Sequence, residues 1–282
     1  MAELMEYLNS PFVRRALIGI VVIAVNAGLT GAFAAFRSAT FLISGAAHAA
    51  LAGAALVLVI GGVLVSDTYI ILGAAVFGVA LALLAASNSG RSGWRGADNA
   101  IGVGFAFSMA LAVLLISLIP QASSRVWGIL IGDLLLLSPT DLSLLTTMTV
   151  LVVFCFIVCW RPFLFITFDT EGAQAFGLRA GFYNYLLFAL IGLSTSILIK
   201  GVGAIVVFAM LAAPAATALL FATSVRRTMV YAFLIAFGSG IVALFISAYL
   251  NFSVSALAAM LASGSYLVAR TAIYLRQQRH TP

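Results

Sequence analysis

Val202-Gly-Ala-Ile-Val-Val-Phe-Ala-Met-Leu-Ala-Ala-Pro-Ala-Ala-Thr-Ala-Leu-Leu-Phe-Ala-Thr223 runs without one charged side chain. About twenty such residues cross the hydrocarbon of a bilayer as a helix, so this stretch predicts a membrane span. Pro214 sits among small residues within it. Neighbouring helices satisfy the carbonyl that a proline frees, and small side chains let helices approach closely, so packing and a kink account for that pattern. Outward from this stretch the same ruler finds about nine runs, at residues 13–36, 41–62, 66–88, 100–120, 141–160, 181–199, 202–223, 228–250 and 254–275. Breakers separate them: the polar, glycine-rich Ser87 to Asn99, the pair Pro120 and Pro139 around a partly apolar excursion, and Asn251 to Ser255. Nothing in the pattern marks off a separate soluble domain, and residues 1–282 read as one transmembrane unit.

Composition agrees. Of the 282 residues, 64% are hydrophobic and 8% charged, and mean hydropathy is +1.21, far from a soluble domain. All eight acidic residues (Glu3, Glu6, Asp67, Asp98, Asp133, Asp141, Asp169 and Glu171) lie at the edges of apolar runs. A charge at mid-bilayer costs roughly 2.5 to 3.5 kcal/mol on insertion scales, which explains that placement. The net charge of +6 comes from basic residues scattered singly or in pairs; no patch suited to nucleic acid survives such spacing. With the C-terminus inside, the cytoplasmic side carries Arg37, Arg91, Arg95, Arg161, Arg179, Arg226, Arg227, Arg270, Arg276 and Arg279. Only Arg14, Arg15, Arg125 and Lys200 then lie outside, the bias of the positive-inside rule. The Arg14–Arg15 pair is the exception, and if the first run falls short of crossing the spans number eight. The acidic N-terminus lacks a basic region and a small-residue cleavage site, so no removable signal peptide is expected.

The residues that exclude functions come next. The single lysine, Lys200, belongs to no phosphate-cradling glycine loop, so the chain is not expected to hydrolyse ATP itself. No carboxylate lies within a span, which argues against a proton- or sodium-coupled carrier. His48 is the one histidine inside a span, and Ser44, four residues earlier, shares its helical face. A neutral imidazole in a pore binds zinc, manganese or iron transiently. Two other readings stand beside it: a histidine bonded to a neighbouring helix, and a Ser/His dyad of an intramembrane hydrolase, which would need a serine from another element.

Between spans, Phe168-Asp-Thr-Glu-Gly-Ala-Gln-Ala-Phe-Gly-Leu178 reads as a short amphipathic helix. Asp169 or Thr170 is its N-cap, Glu171 lies in its first turn, and Gly177 terminates it. On the cytoplasmic side it is either a docking element or an ordinary capped loop. Gly28, Gly31, Gly201, Gly203, Gly238 and Gly240 are read as small residues for helix contact, and Cys155, Cys159 and Met210 as packing.

With these residues in place, the chain resembles the zinc/manganese permease family of bacterial and archaeal ATP-binding cassette (ABC) importers over nearly its whole length. The similarity begins at Pro11-Phe-Val-Arg-Arg-Ala16. It continues through Gly31-Ala-Phe-Ala-Ala-Phe-Arg37, the His48 segment and Asp98-Asn-Ala-Ile-Gly-Val103. It is strongest at Gly132-Asp-Leu-Leu-Leu-Leu-Ser138 with Asp141, at Glu171 to Gly177, and from Gly201 to Thr217. The resemblance implies an all-α polytopic bundle in a prokaryotic inner membrane, similar in architecture to cobalamin and siderophore importers. It further implies a homodimer served by two copies of a cytoplasmic ATPase and by an extracytoplasmic metal-binding protein. The cargo would be a divalent transition metal (zinc, manganese or iron), with no cofactor held by this chain and ATP used by the partner. Alternating access would be driven through the segment containing Asp169, Glu171 and Gly177, with His48 and Ser44 lining the path. The family usually carries an aspartate at the Ser44 position; Leu250-Asn-Phe-Ser-Val254 replaces an acidic, proline-containing turn, and Gly172 stands where alanine is common. A permease of the same architecture for a metal chelate or another small nutrient is the alternative reading.

Overall fold

The computed structural model describes residues 10–62, 65–89, 93–118, 128, 132–250 and 252–278, and side chains from 96 onward in the fourth helix. Glu3, Glu6, Arg91, Pro120, Arg125, Asn251 and Arg279, and the side chain of Arg95, lie outside the described residues.

Among the described residues there is no strand, and nine helices are long and apolar enough to cross a membrane. They are α1 (Pro11–Phe36), α2 (Thr40–Gly61), α3 (Asp67–Ser89), α4 (Gly93–Ser117), α5 (Pro139–Val158), α8 (Ala180–Val202), α9 (Ala204–Phe221), α10 (Val225–Leu250) and α11 (Val254–Gln278). Two shorter helices, α6 (Trp160–Phe168) and α7 (Thr170–Ala175), join α5 to α8. The nine apolar runs are therefore nine helices, with ends shifted by a few residues where caps decide them. Ser138 as N-cap and Asp141 at the third helical position form a reciprocal capping box around Pro139, which starts α5 earlier than hydropathy alone suggests. Gly203, at φ 90°, turns α8 into α9 with no intervening loop, and its backbone is closely approached by Gly132, where an added Cβ would stand 2.2 Å from Gly203 N.

The first run is long enough to cross: α1 has 26 residues and contains a π-helical turn at Ala27–Gly31. Of the Arg14–Arg15 pair, the exception to the charge bias, Arg15 is anchored on the protein itself. Arg15 donates from Nη1 to the Leu137 carbonyl at 2.7 Å and from Nε to the Pro11 carbonyl at 3.1 Å.

Lipid is as apolar as leucine, so these helices associate by close packing and by hydrogen bonds between them. At Gly53 on α2 an added Cβ would stand 2.2 Å from the Gly73 carbonyl oxygen on α3, and at Gly31 one would stand 2.4 Å from the Leu211 carbonyl on α9. Gly28 and Gly240 also sit at close contacts, as the sequence suggested, whereas Gly238 faces open space and packs against nothing. Beside the π turn, the buried Asn26 donates to the Val22 carbonyl and to Thr149 Oγ1 of α5, and accepts from Ser194 Oγ of α8 at 2.6 Å. Thr30 Oγ1 donates to the Asn26 carbonyl at 2.8 Å. Three spans are thus joined through satisfied polar groups in the interior. The most enclosed spans are α1, α2 and α8, and α11 is the least, so the histidine-bearing helix lies at the centre.

Candidate functional site

Ser44 and His48 lie one turn apart on α2, about 12 Å along the helix from Thr40 in the case of His48. Ser44 is buried and His48 half-buried. The imidazole is fixed from two sides. Its Nδ1 meets the backbone carbonyl of Ser44 at 2.9 Å, and its ring stands edge-on to Phe105 of α4 with centroids 4.7 Å apart. A carbonyl only accepts, so Nδ1 carries the proton in the neutral ring and Nε2 keeps the lone pair that a metal would use. The bond runs to the carbonyl and not to the hydroxyl of Ser44. These two residues therefore do not form the nucleophile and base of a hydrolase, which would need the ring nitrogen at the hydroxyl. Phe105, which also packs on Phe41 at 5.6 Å, is a member of this site that sequence spacing did not reveal, because α2 and α4 meet only in the fold.

Among the described residues no group of three or more His, Cys, Asp or Glu side chains is placed to hold a metal. What this chain offers a cation on α2 is one imidazole nitrogen beside a hydroxyl. Cys155 and Cys159 are free thiols that pack against the core.

Asp169, Glu171 and Gly177 come together at the other proposed site, on α7. Asp169 caps the helix, its Oδ1 accepting from Gly172 N at 2.8 Å, and Glu171 occupies the first turn. Gly177, at φ 79°, closes it: Gly177 N donates to the Gln174 carbonyl and Leu178 N to the Ala173 carbonyl at 3.0 Å, the paired bonds of a Schellman stop. Phe168 and Phe176 are exposed beside it, at 62% and 82%. An open groove of about 440 Å³ is lined by Gly177, Leu178, Arg179, Phe182 and Tyr183. Exposed aromatics beside a capped short helix are the kind of apolar surface that partners cover in other proteins. The His48 and Glu171 groups are not in contact; they belong to different helices.

Two further polar clusters escaped the sequence reading. At one end of the bundle, the single lysine links three spans: Lys200 Nζ lies 3.1 Å from Asp67 Oδ2 and 3.8 Å from Asp141 Oδ1. Alternation of the spans puts the end of α8 and the starts of α3 and α5 on one side of the bundle, but only the packing of the three helices brings these side chains within reach of one another. At the opposite end Arg37, Ile166, Asn184 and Ser89 form a buried junction beneath α7.

Residues 9–272 match the ABC 3 transport family. The manganese import system permease protein ScaB of Streptococcus gordonii is 31% identical over 262 residues, covering 93% of this chain and 88% of that protein. The manganese transport system membrane protein MntC of Listeria monocytogenes is 30% identical over 266 residues, 94% of this chain and 91% of that one. Among solved structures, PsaBC from Streptococcus pneumoniae in complex with Fab superposes with a TM-score of 0.80 at 28% identity, covering 95% of this chain and 94% of that chain. An inward-facing putative metal-chelate type ABC transporter shares the fold, with a TM-score of 0.73 at 16% identity over 92% of this chain and 86% of that chain.

Proposed function

Because the chain belongs to the ABC 3 transport family and is a multi-pass permease subunit rather than an enzyme, we propose that it serves an importer of divalent transition metal ions, manganese first among them. The observation that carries this reading is the near full-length similarity to permeases named for manganese import. The pinned imidazole of His48 fits it. With Nδ1 engaged, Nε2 offers one borderline ligand, a nitrogen that suits manganese, zinc and iron. One neutral ligand beside the Ser44 hydroxyl binds weakly, and a conduction site must release what it binds.

In this reading two copies of the chain enclose the path, so that two His48 side chains face it. An extracytoplasmic binding protein delivers the ion, and a cytoplasmic ATPase dimer supplies the energy. The metal is cargo, this chain holds no cofactor, and ATP is consumed by the partner. Access alternates because nucleotide binding biases one of two packed arrangements. The contact with the ATPase is α7, where Asp169 fixes the start, Gly177 fixes the end and Glu171 presents a charge between them.

The test is uptake of radiolabelled manganese into vesicles holding the permease, its ATPase and ATP. Accumulation should require both proteins and compete with excess unlabelled manganese. His48→Ala should lower uptake at limiting metal, and Glu171→Lys should separate ATP hydrolysis from transport. Accumulation of a chelate with no competition from the free ion would replace the cargo assignment with the chelate reading. Uptake by His48→Ala equal to the parent's at every metal concentration would remove His48 from the path.

A further inference from the structure

We propose that Arg37 is a positioning residue of energy coupling, fastening the ATPase-facing α6–α7 segment to the corner between α1 and α2 so that its displacement reaches the helix carrying His48. The inference rests on the permease reading above and supplies a link between its two sites, which do not touch.

Arg37 follows the last residue of α1 and is 6% exposed. Burial lowers its pKa to about 10, so it is charged at neutral pH. Taking a guanidinium out of water is costly unless its donors are met, and here both terminal nitrogens donate to groups on two other elements. Nη1 donates to the Ile166 carbonyl of α6 at 2.5 Å, and Nη2 donates to Asn184 Oδ1 of α8. The Ile166 carbonyl also accepts from Thr170 Oγ1, the first residue of α7, at 2.8 Å. Asn184 Nδ2 donates in turn to Ser89 Oγ at the end of α3, at 3.0 Å. A chain of bonds therefore runs from α7 through α6 and Arg37 to α8 and α3.

Aromatic contacts brace the same corner. Phe36 packs on Phe168 at 5.7 Å between centroids, and Phe33 on Trp160 and Phe163 at 6.0 and 6.3 Å. Between Phe36 and Thr40 the connection is too short to act as a slack tether, and Ser38 at φ 52° completes its turn. A shift of α6 is thus passed to the start of α2, and along that rigid helix to Ser44 and His48. A planar fork that holds two acceptors at once suits this task, and lysine would hold one.

The test reads conformation and needs no knowledge of the cargo. Ser44→Cys is placed in a Cys155→Ser, Cys159→Ser background, and the permease–ATPase complex is reconstituted in lipid vesicles. Labelling of the cysteine at position 44 by a charged thiol reagent is measured with and without ATP and vanadate. Nucleotide should change the labelling rate with Arg37 present. Arg37→Gln in an assembled complex that still hydrolyses ATP should reduce that change by about tenfold, as expected when charge-assisted bonds no longer favour one state of a two-state element. Arg37→Lys should fall between, and Asn184→Ala, which removes one acceptor, should lose a smaller part. If Arg37→Gln does not assemble, the Asn184→Ala and Arg37→Lys complexes decide. A nucleotide response undiminished in the assembled variants would overturn the inference. Failure of the parent complex to accumulate manganese, measured separately, would strike the cargo assignment and leave this result standing.

Discussion

Replacing Gly53 by alanine should loosen the bundle where the backbones of α2 and α3 approach each other closely. The added Cβ would lie 2.2 Å from the Gly73 carbonyl oxygen, 2.8 Å from its carbon and 2.9 Å from Phe77 Cβ. Two of these three are backbone atoms of α3 and cannot rotate away. Ordinary carbon–oxygen contact needs about 1 Å more, and a gap of 0.5–1 Å already forfeits a quarter to a half of the dispersion energy of the contacts it opens. The cost should be that of overpacking, about 1–3 kcal/mol. Alanine also favours a helix over glycine by up to about 1 kcal/mol, which would mask part of the loss. Gly238→Ala isolates that gain, because a Cβ there meets nothing within 4 Å. The quantity to measure is therefore the difference in melting midpoint between the two variants, purified in the same detergent. At roughly 2–4 °C per kcal/mol for a chain of this size, Gly53→Ala should melt about 2–12 °C below Gly238→Ala. Equal midpoints would mean that α2 and α3 do not cross at Gly53 and Gly73, and the packing that places His48 would have to be redrawn.

Lys200→Ala should destabilise the protein by about 1–3 kcal/mol, because it leaves the buried Asp141 without its cation. Asp67→Asn should cost about 0–1 kcal/mol, its half-exposed carboxylate being screened by solvent; equal losses in denaturant titrations would refute the difference in burial. Gly177→Ala forces a Cβ into a left-handed conformation at a cost of about 1–2 kcal/mol. It should speed hydrogen exchange of the Leu178 amide about 5–30-fold with little change in global melting. Burial, and then the neighbouring Cys155, hold the Cys159 thiol above its ordinary pKa. The reactive thiolate is therefore scarce at neutral pH, and maleimide labelling in a Cys155→Ala background should be slow at pH 7 and accelerate as the pH is raised towards and past the Cys159 pKa. Rapid labelling at pH 7 would contradict the burial.

Apolar runs, charge placement and local caps were legible in the chain itself. Segment length against bilayer thickness separates Pro11–Phe36 from Val254–Gln278 as spans, and the arginine bias gives their sense. The Asp169 cap and the Gly177 stop of α7 are local chemistry, written within a few residues and therefore readable in order. Ser44 and His48 are similar, since one helical turn puts them on one face whatever surrounds the helix. What only the tertiary structure decided is every relation between distant segments. Glycine is glycine in the sequence at 53, 73 and 238, yet two press against a backbone and the third faces open space, because helix rotation and crossing point set what each one meets. Lys200 with Asp67 and Asp141, Phe105 against His48, and Arg37 with Ile166 and Asn184 join residues that are far apart in the chain. In a membrane the apolar effect that sorts inside from outside in water is absent between helices, so hydropathy finds the spans but is silent on their neighbours; close packing and a few bonded polar groups choose those, and both act only once the helices are side by side.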